Sequence, residues 1–531
     1  MSKKLVKILA LLLGLTLLLS GCGGANQGTK TEEAKPTEST AENAQSGGNL
    51  IFGLSGEPAT LDPAVQGGTF QRAVKECIYR GLVNYGRDGK IVNELAESYT
   101  VSEDGKTYTF KLRQAKFHNG DPVTAEDVKF SLERILDPKT GATYMNELSI
   151  IDKIEAVDDS TVKITLKNTY APFIHYLALP ESAIVSKKWT EEKGGDLSGN
   201  PMGAGPFQFV DWTKGQDINV KKFPDFYKEN TPKLDSIKFV FYTDENTRVN
   251  ALKAGDVDII EYVPWKDATT IENDPALKLD SAMGPFMMLQ FNTHFKPFSD
   301  PKVRQAISYA IDRTAIINTA FNGRGEPIFG LPIPKGYLGY NEKYNNYFKY
   351  DPEKAKQLLT EAGYPNGFKA TLLATSQYSM HQQTAVVVQA ELKKVGIDVT
   401  LELPDWPTRI EKNLKGEYDF LVAGTSGDIT DPDWLSNFFY GGDIRLNNSA
   451  YFNDPEINRL LDEGRTTLDE SKRKEIYDKF SERALELSPF VFLTWREQSY
   501  GMKKEVEGFQ NLPGFLSFQS GITLEDTYFA K

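Results

Sequence analysis

Thr107-Tyr108-Thr109-Phe110-Lys111-Leu112-Arg113, followed by Lys116-Phe117-His118-Asn119-Gly120-Asp121-Pro122-Val123-Thr124-Ala125-Glu126-Asp127-Val128, is the stretch on which the fold turns. In its first part Tyr108, Phe110 and Leu112 fall on one face and Thr109 and Lys111 on the other, the period of a half-buried antiparallel strand. Asn119-Gly120 tolerates positive φ and predicts a tight turn. Thr124 then caps a helix, with Asp127 three residues on approximating a capping box and Val128, Leu132, Ile135 and Leu136 on the inner face.

Upstream, Lys3, Lys4 and Lys7 precede an apolar run from Ile8 to Leu19 that ends in Leu19-Ser20-Gly21-Cys22. This is the pattern of a lipoprotein signal, residues 1–21, with Cys22 exposed by cleavage and lipidated. Counted generously from Leu5 to Ser20, the run is about 16 residues, short of the roughly 20 that span a bilayer. Residues 22–48 hold no aromatic residue and no Val, Ile or Leu; such a segment cannot offset its conformational entropy and reads as a disordered tether. Its length lets the folded part stand on the order of 30 Å from the membrane.

From Asn49 onward the chain holds nearly all of its 24 Tyr, 31 Phe and 6 Trp, enough for two or three domains. A net charge of −12 without a basic cluster beyond the signal argues against nucleic acid and anionic lipid as partners. Cys77 is the only cysteine besides Cys22, so no disulfide framework is expected. Up to about Asp280 the pattern gives short strands, hairpin turns and few helices. Beyond it, Asp300-Pro301 and Asp351-Pro352 each start a capped helix. Strands at 370–374, 397–403 and 418–423 alternate with helices at 381–395 and around Ile410 and Leu414. That alternation indicates an α/β region with a mainly parallel sheet.

Leu95-Ala96-Glu97-Ser98-Tyr99, Ser102 to Arg113 and Lys116 to Val128 together closely resemble the signature of the extracellular solute-binding proteins of the oligopeptide and dipeptide class (family 5), the receptors of ABC importers. Further blocks resemble the family in order: Gly56-Glu57-Pro58, Leu61-Asp62-Pro63, Asn200-Pro201-Met202-Gly203-Ala204-Gly205-Pro206-Phe207, Phe291-Asn292-Thr293, Val303-Arg304-Gln305-Ala306 and Gly427-Asp428-Ile429-Thr430-Asp431-Pro432-Asp433-Trp434. The resemblance implies a two-lobed α/β periplasmic-binding-protein fold (class II-like, cluster C) with hinged lobes. Lobe 1 would be residues 49–285 and 502–531, with an extra sub-domain at about 88–200, and lobe 2 residues 286–501. It also implies capture of di- or oligopeptides outside the cytoplasm by a monomer held to the membrane through its N-terminal lipid. Delivery would be to permease and ATPase subunits, with no cofactor and no metal.

The same resemblance suggests the site. Asp428 matches the aspartate that receives a peptide's α-ammonium group, and the strand before it, including Gly424 and Ser426, would offer main-chain groups to an extended ligand. Asp431 and Asp433 read as helix caps. Gly68 and Thr69 align with a first-lobe loop facing the cleft, while Trp406 and Trp434 border the pocket as flat walls. Where dipeptide-specific relatives carry a basic residue for the ligand's carboxylate, near Ser376 to His381, this chain has no Arg or Lys; His381 and Arg409 are substitutes. Within the fold, nickel chelates, haem, glutathione and oligosaccharides are alternative ligands. A secreted hydrolase is the rival outside it, but the four histidines are isolated and no nucleophile or metalloprotease motif is present.

Overall fold

The structure is a computed structural model that describes residues 44–45, 47–66, 68 and 70–531. The expected lipidation site Cys22, the expected signal, most of the expected tether and Thr69 lie outside them. Around the deciding stretch, Thr107–Leu112 is a strand with Tyr108, Phe110 and Leu112 buried. The turn closes through Gly120 N–H to Phe117 O and Phe117 N–H to Asp121 O, both 2.8 Å, with Gly120 at φ +88°. Thr124 and Asp127 exchange the two hydrogen bonds of a capping box at the start of the helix Ala125–Leu136, a cap worth about 1 kcal/mol. Val128, Leu132 and Ile135 of that helix are buried against the four-stranded antiparallel sheet of Ala96–Val101, Thr107–Leu112, Thr161–Leu166 and Ile151–Asp158. Each such apolar side chain contributes about 1.5 to 3 kcal/mol.

A second, eleven-stranded sheet organises the rest. Two long strands, Leu277–Phe291 and Phe490–Lys503, run antiparallel down its middle. Their register steps where Met283 faces Glu497 and Phe286 faces Trp495. At the step a Cβ on Gly284 would lie 1.9 Å from Gly514 O, so glycine permits the C-terminal segment to press on the bulge. On one side of the step the sheet continues through Ile259–Ile260, Asn49–Leu54, Ser236–Phe241, Asp217–Lys222 and Phe207–Thr213. On the other it continues through Phe420–Thr425, Lys369–Leu373 and Asp398–Glu402. These are the first and second sheet halves below.

The second half was expected to be mainly parallel. Its outer strands are parallel, but Phe420–Thr425 runs antiparallel to Leu277–Phe291, because the long strands are shared between the halves and bring their own direction. The helix at Ile410 is Trp406–Lys415, yet it buries Arg409 and Asn413, while Leu414 is exposed. The first half holds more helices than its pattern suggested, among them Phe70–Ile78, Glu245–Ala254 and Trp265–Glu272. Phe70–Ile78 packs under the C-terminal segment Gly514–Asp526. Its C-terminal carbonyls also receive the Gly203-Ala204-Gly205 block: a Cβ on Gly203 would lie 2.0 Å from Ile78 O, and one on Gly205 2.5 Å from Cys77 O. Among the described residues no helix is long and apolar enough to cross a membrane.

Candidate functional site

The loop after Phe420–Thr425 joins the two halves side chain by side chain. Asp431 caps the short helix that follows by accepting from Asp433 N–H at 2.9 Å, as expected, and it also takes both arms of Arg473 at 2.7 and 2.8 Å. Burial alone would raise its carboxyl, but the Arg473 pair holds it below the usual range. Asp433, expected as a cap, is not one: it is 1 % exposed and lies inside the short helix Pro432–Leu435 that Asp431 caps, and its carboxylate takes only side-chain donors. Its Oδ1 accepts from Arg465 Nε at 3.0 Å and Ser436 Oγ at 3.1 Å. Its Oδ2 accepts from the Tyr170 and Tyr176 hydroxyls, at 2.9 and 3.3 Å, which reach across from the first-half side. Tyr85 Oη lies 3.3 Å from Thr430 N–H and 3.0 Å from His175 Nδ1.

Asp428 stands at the start of this loop with a third of its side chain exposed, its Oδ1 4.0 Å from Arg72 Nη2. Arg72, on the helix Phe70–Ile78, is itself held by Glu181 at 3.2 Å. Burial raises the Asp428 carboxyl above its ordinary value, opposed by the Arg72 charge. The Tyr144 hydroxyl hydrogen-bonds Asp428, while the buried Glu181 Oε2, Glu76 Oε2 and Arg72 Nη2 have no hydrogen-bond partner. Unsatisfied groups at this density are uncommon in a folded interior.

A separate cavity of about 320 Å³ opens between the halves. Gly68, Phe70, Arg248 and Tyr262 line it from the first-half side, and Tyr378, His381, Trp406 and Gly424 from the other. The Trp406 indole meets Tyr378 edge-on at 5.1 Å and His381 at 5.6 Å, a rigid apolar wall. Gly424 is bare for a reason, because a Cβ there would lie 2.7 Å from Met287 Sδ. Burial and the charges of Arg409 and Arg496 push His381 down to about 3, so its ring is neutral. Arg409 donates to Val422 O at 2.8 Å and does not line the cavity.

Of the sequence-derived site residues, the structure thus gathers Gly68, Trp406 and Gly424 on one cavity. Asp428 and Ser426 are half-buried beside it and do not line it. Trp434 is a correction: it is 1 % exposed, packed against Phe286, Phe438 and Phe515 at 5.0 to 6.1 Å. It is core because three rings enclose it, and it forms no cavity wall. The sequence reading missed Arg496, Tyr262, Arg248 and Trp265, which also line the cavity. Among the described residues, no group of three His, Cys, Asp or Glu is placed to hold a metal ion.

With this geometry, residues 90–446 match the family model for bacterial extracellular solute-binding proteins, family 5 middle region. The chain is 34 % identical over 480 residues to the glutathione-binding protein GsiB of Pectobacterium atrosepticum, covering 88 % of this chain and 92 % of that one. Among solved structures, the binding protein AgaA of A. tumefaciens R10 in complex with agropinic acid is 61 % identical. It covers 91 % of this chain and 99 % of that one, with a TM-score of 0.83. The binding protein DppA of Helicobacter pylori in complex with the peptide STSA is 29 % identical, covering 92 % and 99 %, with a TM-score of 0.80.

Proposed function

The chain belongs to the bacterial extracellular solute-binding proteins of family 5, and from that premise we propose that it captures a small peptide or amino-acid-derived solute between two lobes and hands it to an ABC importer. It performs no chemistry of its own. The observation that carries this reading is the cavity of about 320 Å³ lined from both sheet halves. That volume lies at the low end of the range, about 300 to 1,000 Å³, for small-molecule sites, and it suits a solute of di- to tripeptide size better than a long peptide. The relatives support the size class: one is named for glutathione and two are complexes with agropinic acid and the peptide STSA.

The hinge of this trap is the register step, Met283–Phe286 on one strand and Trp495–Glu497 on the other. Glycine at 284 and the bulge interrupt regular pairing there, so bending costs the fewest hydrogen bonds. Trp406, Tyr378 and Gly424 form one jaw; Gly68, Phe70 and Tyr262 form the other. Asp428 serves as the ammonium partner of a peptide ligand, next to Arg72. Cys22 carries lipid and holds the monomer at the outer face of the membrane, so Cys22→Ser moves the protein from the membrane to the soluble fraction. The solute class is tested by calorimetry on protein stripped of ligand by unfolding and refolded. Glutathione, Ser-Thr-Ser-Ala and agropinic acid are titrated in turn, and at least one binds; heat from none of them removes this reading.

A further inference from the structure

Of the two arginines that line the cavity, Arg496 is the one left with unmet donors, its only side-chain hydrogen bond among the described residues being to Tyr262. Its side chain is buried, the residue being 3 % exposed, yet Nε and Nη1 have no hydrogen-bond partner. Among the described residues no carboxylate lies within ion-pair distance of it. The contrast with its neighbours is sharp. Arg248, on the opposite wall, gives its donors to the carbonyls of Tyr242, Glu261 and Tyr262 at 2.7 to 3.0 Å. Arg313 does the same with four carbonyls at 2.6 to 3.1 Å. Glu497, adjacent to Arg496, points to the other face of the strand and is committed to Arg324 at 2.7 Å.

The groups that share the cavity with Arg496 do not neutralise it. The neutral Tyr262 hydroxyl accepts one hydrogen bond from the guanidinium and raises its basicity without supplying a counter-charge, and Trp265 offers a ring face 5.7 Å from the guanidinium carbon. His381 is neutral and also presents an unpartnered Nδ1. Glu245, the one carboxylate on the lining, is exposed at the first turn of its helix. Burial lowers the Arg496 pKa, the expected sign for a cation without its counter-ion. A buried, unpaired guanidinium is unfavourable by itself, whereas its planar fork matches a carboxylate with two parallel hydrogen bonds.

We propose that Arg496 binds a carboxylate of the solute and thereby selects anionic ligands for this cavity, an assignment that rests on the solute-receptor reading above. An amide, an ammonium or an uncharged sugar placed there leaves the guanidinium unpaired. In dipeptide-specific relatives the resemblance places that cation near the segment Ser376 to His381, which here holds no Arg or Lys. This chain supplies the cation from a long central strand more than 100 residues further on.

Two measurements test it. First, glutathione, Ser-Thr-Ser-Ala and agropinic acid are each compared by calorimetry with the analogue whose carboxylates are carboxamides, on wild type, Arg496→Lys and Arg496→Met. Wild type should lose about 100-fold or more in affinity on amidation. Arg496→Met should bind acid and amide alike, and Arg496→Lys should keep part of the preference. An amide that binds wild type as tightly as its acid overturns the Arg496 assignment and leaves the receptor reading standing. Second, the melting temperature of ligand-stripped Arg496→Met is compared with stripped wild type. A group kept for ligand is a liability without it, so Tm should rise by about 1 to 3 °C. A fall in Tm means that Arg496 supports the fold and overturns the assignment. If no probe binds wild type, the solute class fails, and this Tm comparison alone decides the role of Arg496.

Discussion

Removing the Tyr170 and Tyr176 hydroxyls should weaken solute binding while leaving the site untouched. Both donate to Asp433 Oδ2, at 2.9 and 3.3 Å, from the first-half side. The remaining partners of Asp433, Arg465 and Ser436, come from the same side as Asp433 and stay with it when the halves part. Of the Asp433 contacts, only the two hydroxyl bonds are therefore made by the proposed closure and lost on opening. A hydrogen bond to a charged acceptor is worth about 1.5 to 3 kcal/mol, and the 3.3 Å bond lies below that range, so the pair favours the closed form by about 2 to 4 kcal/mol. At 1.4 kcal/mol per decade, Tyr170→Phe with Tyr176→Phe lowers the closing equilibrium by about 30- to 700-fold, and apparent affinity falls with the closed population. Calorimetry on whichever acid binds wild type reads the Kd, and small-angle scattering reads the radius of gyration with and without that solute. The expected result is a weaker Kd and a larger mean radius at subsaturating solute. An unchanged Kd with a lowered Tm would refute the reasoning, because it makes the latch a fixed part of one folded unit.

Three further outcomes follow from particular contacts. If Asp428 receives a peptide's ammonium group, Asp428→Asn and N-acetylation of the peptide each cost about two decades of affinity but are not additive in a double-mutant cycle; independent losses in calorimetry assign Asp428 to Arg72 alone. Gly203→Ala forces a Cβ to within 2.0 Å of Ile78 O and should lower stability by about 3 kcal/mol or more, whereas Gly199→Ala, with nothing within 4 Å of its Cβ position, should be near neutral by urea denaturation. Burial holds His118 down at about 4 and His381 at about 3, below the value of about 6.5 in the unfolded chain. The unfolded chain binds more protons between those values, so their contribution is complete above pH 6.5 and is lost as pH falls toward 4. The slope of Tm against pH should flatten in His118→Gln and His381→Gln, and an unchanged slope contradicts the buried neutral histidines.

The strand, turn and capped helix from Thr107 to Leu136 were legible because each is encoded within a few residues: a period of two, an Asn-Gly pair, a Thr-x-x-Asp box. The alternating helices and strands after Asp300 were legible for the same reason. The helix Phe70–Ile78 was not, since its inward face is Gln71, Arg72, Lys75 and Glu76 as well as Ala73 and Val74. Those polar groups are buried through partners distant in sequence, such as Glu181 for Arg72, and periodicity of apolar residues cannot find them. Trp434 occupies a position that suggested a wall, and only the packing of Phe286, Phe438 and Phe515 makes it core. Arg496 was hidden for a different reason. What singles it out is the lack of a partner in three dimensions, and no local pattern encodes an absence.

Native mass spectrometry of protein purified without denaturation tests the central claim most directly, because a closed trap retains its solute. The account predicts a non-covalent adduct of a few hundred daltons that is released on denaturation, carries at least one carboxylate, and is missing from Arg496→Met. A retained solute that is neutral or solely cationic, or a peptide too long for a cavity of about 320 Å³, would contradict it.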